Sequence, residues 1–135
     1  DRSRGLGDVY KRQRIESEEK KARRLAAFRP LVYICSPYRG NTNENIENAR
    51  KYSRFAVVHH SIPIAPHLLF PQFLDDTLGE ERQTAMFMNY VLLTKCVQLW
   101  VFGSSISEGM AQEIQWAKRR HMPIRYFTEE MEEVV

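Results

Sequence analysis

Leu99-Trp100-Val101-Phe102-Gly103 is an unbroken apolar run that ends in glycine, and four positions later the chain switches to a helical period. Such a run reads as a strand buried on both faces, since a half-exposed strand would alternate apolar and polar residues. Ser107 suits the N-cap of the helix that follows, and Gly109 lies in its first turn. At 100° per residue, Met110, Ile114 and Ala117 share the face that packs on the sheet, with Gln112, Gln115 and Arg119 opposite. Glu113 belongs to neither group and falls at the edge of the inner stripe. A carboxylate directed toward the strand's C-terminal end, beside a glycine that lets a ligand come close, is placed to do chemistry. The competing reading is a half-exposed glutamate flanking the core.

The same strand-then-helix pattern runs through the chain. Leu31–Ser36 is a second continuous apolar run, broken by the turn residues Pro37–Asn41. Asn43 can cap a helix to about Val58, with Ile46, Ala49, Ser53 and Ala56 at helical spacing. Ile62–Ala65 is short, and Pro63 makes it an edge strand. A long loop, 66–79, follows, with a helical turn expected at 68–74. Glu80–Lys95 reads as a helix with Ala85, Met88, Leu92 and Cys96 in register. Ile124–Phe127 is a last strand, and the acidic tail 128–135 is weakly helical. Alternating strands and helices predict one α/β domain with a parallel sheet of four or five strands flanked by helices. Ligands of such sheets sit at the carboxyl ends of strands, near the switch in strand order. The loops 36–41 and 104–109 should meet there.

Residues 14–28, rich in Glu, Lys, Arg and Ala, predict a loosely docked helix with a thin apolar face of Ile15, Ala22, Leu25, Ala26 and Phe28. Asp8–Gln13 corresponds to the translation of a transposon end used in sequencing adaptors. Residues 1–13 are therefore set apart as an adaptor-derived or disordered leader, 14–30 as a helical extension and 31–135 as the domain.

Composition excludes several classes. No apolar run approaches the ~20 residues of a membrane span, and the charged N-terminal stretch is no secretory signal. Residues 1–30 hold ten Lys/Arg against five Asp/Glu, whereas 31–135 hold ten against twelve. The basic character thus belongs to the leader, and no patterned surface for a nucleic-acid polymer results. Cys35 and Cys96 sit in apolar segments, as expected of a reduced, cytoplasmic protein. The histidines and cysteines lack ligand spacing, so no metal or cofactor is expected.

Ser36, Arg39 and Gly40 offer a hydroxyl, a charged fork and a tight turn, a set that suits an anion at a helix start. The glycine patterns of phosphate loops and dinucleotide folds are absent. Tyr33, if its hydroxyl reaches the sheet's carboxyl edge, can hydrogen-bond Glu113 and hold it ionised. His67 can line the pocket. Asp75-Asp76 and Glu80-Glu81 are acidic pairs in or beside the long loop.

These pieces coincide in one family. Tyr33-Ile34-Cys35-Ser36-Pro37-Tyr38-Arg39-Gly40, the strand 99–103 and the Ser-x-Gly-x-x-x-Glu pattern of Ser107, Gly109 and Glu113 resemble the nucleoside 2-deoxyribosyltransferase-like superfamily. Within it, the deoxyribonucleoside 5′-monophosphate N-glycosidases and small phage and bacterial members are the most similar. The resemblance spans residues 31–128. It implies a Rossmann-like or flavodoxin-like domain and cleavage or exchange at an N-glycosidic bond through a glycosyl ester on Glu113. Tyr33 then orients the carboxylate. Ser36, Tyr38, Arg39, Gly40, His67, Asn89, Ser107 and Gly109 bind substrate, with Arg39 and Gly40 near a 5′-phosphate. Asn89 stands where family enzymes often carry an aspartate, and a carboxamide cannot donate a proton as an acid. Asp75, Asp76 or His67 would have to substitute. The resemblance further implies a homo-oligomer acting on a small nucleoside or nucleotide, with no membrane partner. A binding module that kept the pocket but lost turnover, and an interaction domain with no ligand, are the alternatives.

Overall fold

The computed structural model describes residues 2–135. Its elements are α1 (Arg2–Phe28), β1 (Leu31–Cys35), α2 (Thr42–Val58), β2 (Ile62–Ile64), two short 3₁₀ turns (Pro66–Leu68 and Phe70–Gln72), α3 (Gly79–Lys95), β3 (Gln98–Phe102), α4 (Glu108–Arg119), β4 (Ile124–Phe127) and β5 (Glu133–Val134). The sheet order is β2-β1-β3-β4-β5. The first four strands are parallel, and β5 pairs antiparallel with β4.

Strand periodicity divides the core in two. Tyr33 and Cys35 of β1 and Leu99 and Val101 of β3 pack with Leu93, Met110 and Ala117 of α3 and α4. Their neighbours Val32, Ile34, Trp100 and Phe102 point the other way, onto Tyr52 and Ala56 of α2 and onto Phe127. Both central strands are therefore covered on both faces, which is why their sequences do not alternate. Phe102 stacks between Tyr52 and Phe127, with ring centroids 4.2 and 4.9 Å away.

Four expectations change. The tail is not helical: Arg125 and Glu133 form a two-bond ion pair across the β4–β5 ladder, at 2.7 and 2.8 Å, and Met131 adopts a left-handed backbone in the turn. Asn41, not Asn43, caps α2, accepting from the Glu44 N–H at 3.4 Å. The helical turn expected at 68–74 is split into the two 3₁₀ turns, with Pro66 first in one and Pro71 second in the other. Finally, the helix expected from residue 14 begins at Arg2. The side chains of 5–24 are exposed, so Ile15 and Ala22 form no docked face. Leu25, Ala26 and Phe28 lie outside the described side chains.

Truncation of Phe102 to Ala removes a ring packed between two others on the α2 side. Urea unfolding should show a loss of about 3–5 kcal/mol.

Candidate functional site

Strand order fixes where a site can form. From β1 the chain passes through α2 to β2 on one side, then through α3 across to β3 on the other. The order therefore reverses between β1 and β3, and loops leaving their carboxyl ends diverge over a crevice. Tyr38, Arg39, Pro66, His67, Asp76, Arg82, Met86, Asn89, Ser107, Gly109 and Glu113 are among the residues that line a cavity of about 160 Å³ there.

Glu113 forms part of its wall and is only 3% exposed. On α4 it lies between Met110 and Ala117, so it sits within the buried stripe and not at its margin. Burial pushes its carboxyl up from the ordinary 4.5 to about 7, against the opposing pull of Tyr33 and Cys35. The Cys35 thiol donates to Glu113 Oε1 at 3.7 Å. Burial raises the thiol's own pKa, so it stays a donor. The Tyr33 hydroxyl is buried beside Glu113 and directed at it, in a contact short of ideal hydrogen-bond geometry that still lowers the carboxyl's pKa and raises the tyrosine's own. Burial outweighs that pull, so Glu113 is not held fully ionised at neutral pH.

The first loop is braced from the long loop. His67 lines the cavity and places Nε2 3.0 Å from the Ser36 carbonyl. A carbonyl only accepts, so Nε2 carries the proton; burial lowers the ring's pKa and keeps it neutral. Tyr38 packs on the His67 ring at 5.0 Å. Arg39 lines the cavity but donates from Nε to Asp76 Oδ2 and from Nη2 to the Asp76 carbonyl, both at 3.0 Å. Gly40 has φ 95°, as its turn requires, but lies outside the cavity wall. Ser36 is also outside it, its buried Oγ without a partner.

On the facing side, Ser107 Oγ caps α4 by accepting from the Met110 N–H at 3.2 Å. A Cβ added at Gly109 would meet nothing within 4 Å, so its edge of the cavity stays open to a ligand. Asn89 lines the wall, 7% exposed, with Oδ1 unpaired. On α3, Asn89 and Leu93 are the buried residues, while the expected Ala85 lines the cavity and the expected Leu92 and Cys96 pack on the core. Of the acidic pairs only Asp76 reaches the cavity. Asp75 instead closes a turn on Thr77, whose hydroxyl and N–H it accepts at 2.6 and 2.9 Å.

Cys35, Arg82 and Glu108 are among the site residues that sequence reasoning missed. Cys35 is legible in principle, two positions from Tyr33 on one strand and hence on the same face, and Arg82 lies two helical turns before Asn89 on one helix face.

The raised Glu113 pKa has a sign in stability. The folded state holds this proton more tightly than the unfolded chain, so the fold loses stability as pH rises from about 4.5 through about 7. At about 1.4 kcal/mol per unit, the charged form costs about 3 kcal/mol. Glu113→Gln should therefore gain roughly that much over wild type near pH 8 and almost nothing near pH 4.5, read by urea melts at both.

The fold has solved counterparts. A 2-deoxyribosyltransferase of Bacillus psychrosaccharolyticus superposes with a TM-score of 0.62 at 14% identity, over 78% of this chain and 76% of that one. One from Leishmania mexicana gives 0.57 at 13%, over 73% of this chain and 64% of that one. At such identities the likeness is one of fold. No curated protein matches the sequence. Among the described residues, no helix is long and apolar enough to cross a membrane. Residues 30–127 match the family described as a domain of unknown function, DUF7768, and the chain belongs to that family.

Proposed function

We propose that residues 31–135 form an enzyme that cleaves or exchanges the N-glycosidic bond of a small nucleoside or nucleotide, with Glu113 as nucleophile. The single observation behind this is a carboxylate buried in the wall of a cavity at the strand-order switch point. The solved folds of the same shape are named 2-deoxyribosyltransferases, and the Tyr33-to-Gly40 and Ser107-x-Gly109 motifs add to the likeness.

In the proposed reaction, ionised Glu113 attacks the anomeric carbon of the sugar. The carbon–nitrogen bond breaks, and its electron pair leaves with the base, which takes up a proton. A glycosyl ester remains. Water or a second base then attacks the same carbon, expels the carboxylate and loses its own proton. Water makes the protein a hydrolase; a base makes it a transferase. Tyr33 and Cys35 would orient the carboxylate. The cavity is smaller than the ~300–1,000 Å³ of a drug-sized ligand's pocket. It therefore suits the sugar, with the rest of the substrate at the mouth. A homo-oligomer acting in the cytoplasm completes the proposal.

Asn89 favours a second reading, a nucleotide-binding module without turnover. It cannot protonate a leaving base, Asp76 is engaged by Arg39, and Asp75 lies away from the cavity. Tight binding without product would select this reading over catalysis.

Incubation with a nucleoside and 5′-monophosphate panel, read by mass spectrometry, should release free base. Glu113→Gln should lower that release on the order of a thousandfold or more. For the wild type, kcat/KM should rise with pH through about 7, because only the ionised carboxylate attacks. A flat profile, or release undiminished in Glu113→Gln, removes Glu113 from the chemistry.

A further inference from the structure

The wall of the cavity contributed by α3 carries two groups with unmet demands. Asn89 is more than nine-tenths buried, and its Oδ1 accepts from nothing. Buried acceptors in native interiors are paired as a rule, so one that faces a cavity is placed to meet a donor that enters it. Arg82 lies two turns nearer the helix start, about 10 Å along the axis. It is half-buried and lines the same cavity. Among the described residues its guanidinium makes no ion pair and no hydrogen bond, unlike Arg39, which Asp76 engages at two nitrogens. Between the two, Ala85 and Met86 give the wall an apolar middle.

We propose that α3 reads the ligand at two points, Arg82 binding a phosphate ester and Asn89 Oδ1 accepting from a hydroxyl or N–H of the sugar or base. The assignment of sugar and base rests on the function proposed above; the anion site on Arg82 does not. A guanidinium presents a planar fork of donors that matches phosphate oxygens, and one without a protein partner gives up no existing bond to bind them. The remaining charges facing the cavity are the carboxylates of Glu108 and Glu113 and the paired Arg39 and Asp76. Arg82 is thus the free cation among the described cavity residues, and it makes the ligand a nucleotide in preference to a nucleoside.

The test is calorimetric titration of the full chain with the four 2′-deoxynucleosides, their 5′-monophosphates and inorganic phosphate. The monophosphates should bind about tenfold or more tightly than the nucleosides. Arg82→Ala should erase that advantage and leave nucleoside affinity within about twofold, while Arg82→Lys keeps part of it. Asn89→Leu, close in shape but without the acceptor, should weaken nucleoside and nucleotide alike and leave the melting temperature unlowered. An unchanged monophosphate advantage in Arg82→Ala, or its loss in Arg39→Ala alone, overturns the assignment. Inorganic phosphate binding as tightly as the monophosphates would also overturn it, by making the site a free-anion site. Monophosphate preference that depends on Arg82 without any base release would sink the proposed reaction and leave this inference standing. Base release insensitive to Arg82, with no change in the monophosphate-to-nucleoside ratio, would do the reverse. No binding of either class overturns both.

Discussion

A carboxyl group buried to 3% exposure is what the rest of this structure has to accommodate. Desolvation makes its charge expensive, and its neighbours, the Tyr33 hydroxyl and a thiol at 3.7 Å, offset only part of that cost. A side chain in that position would swing to solvent on any mobile element. It stays because α4 is fixed on both sides of it, Met110 and Ala117 being buried against β1 and β3 one turn either way. The strands are in turn held by the opposite layer, where Tyr52, Phe102 and Phe127 stack. The aromatic layer under α2 therefore serves the cavity on the far side of the sheet, by making the floor rigid.

The loops follow the same logic at lower energy. The long loop between β2 and α3 crosses the crevice and is tied to the first loop by His67 on the Ser36 carbonyl and by Arg39 on Asp76. The first contact is partly buried and directional. The second is half-exposed, and ion pairs of that kind contribute only about 0–1 kcal/mol. The cavity thus has one firm brace and one weak latch. A change in the loop costs least at the Arg39–Asp76 end.

Legibility in the sequence tracked how local each cause was. The two unbroken apolar runs, the Pro63 edge strand and the Ser107 cap follow from nearest neighbours, and they emerge as read. The inner face of α3 was read only in part. Leu92 and Cys96 pack on the core as read, and Asn89 faces the cavity, but Leu93 is buried beside them without a periodic signal of its own. Arg82 stands two turns before Asn89 on that face, where a charged residue near a helix start reads as solvent-exposed. The β4–β5 ladder was hidden for another reason: its Arg125–Glu133 pair joins residues that only a turn through Met131 brings together.

One consequence joins the burial of Glu113 to the chemistry proposed for it. A glycosyl transfer passes through an oxocarbenium-like state, with positive charge growing on the anomeric carbon. The low dielectric that lifts the Glu113 pKa to about 7 also strengthens the attraction between its carboxylate and that charge. The stability lost by ionising Glu113 would, in the proposed reaction, be recovered where it favours the transition state over the ground state. A neutral Asn89 fits the same balance. An aspartate at that wall would add a second negative charge to a cavity already bearing Glu108 and Glu113, push the Glu113 pKa higher still and leave less of the nucleophile ionised at neutral pH. The exchange of acid for amide thus removes a proton donor and in return keeps the attacking carboxylate available. Which of the two dominates is decided by the leaving base: one that departs readily without a proton loses little from the amide and gains from the freer nucleophile.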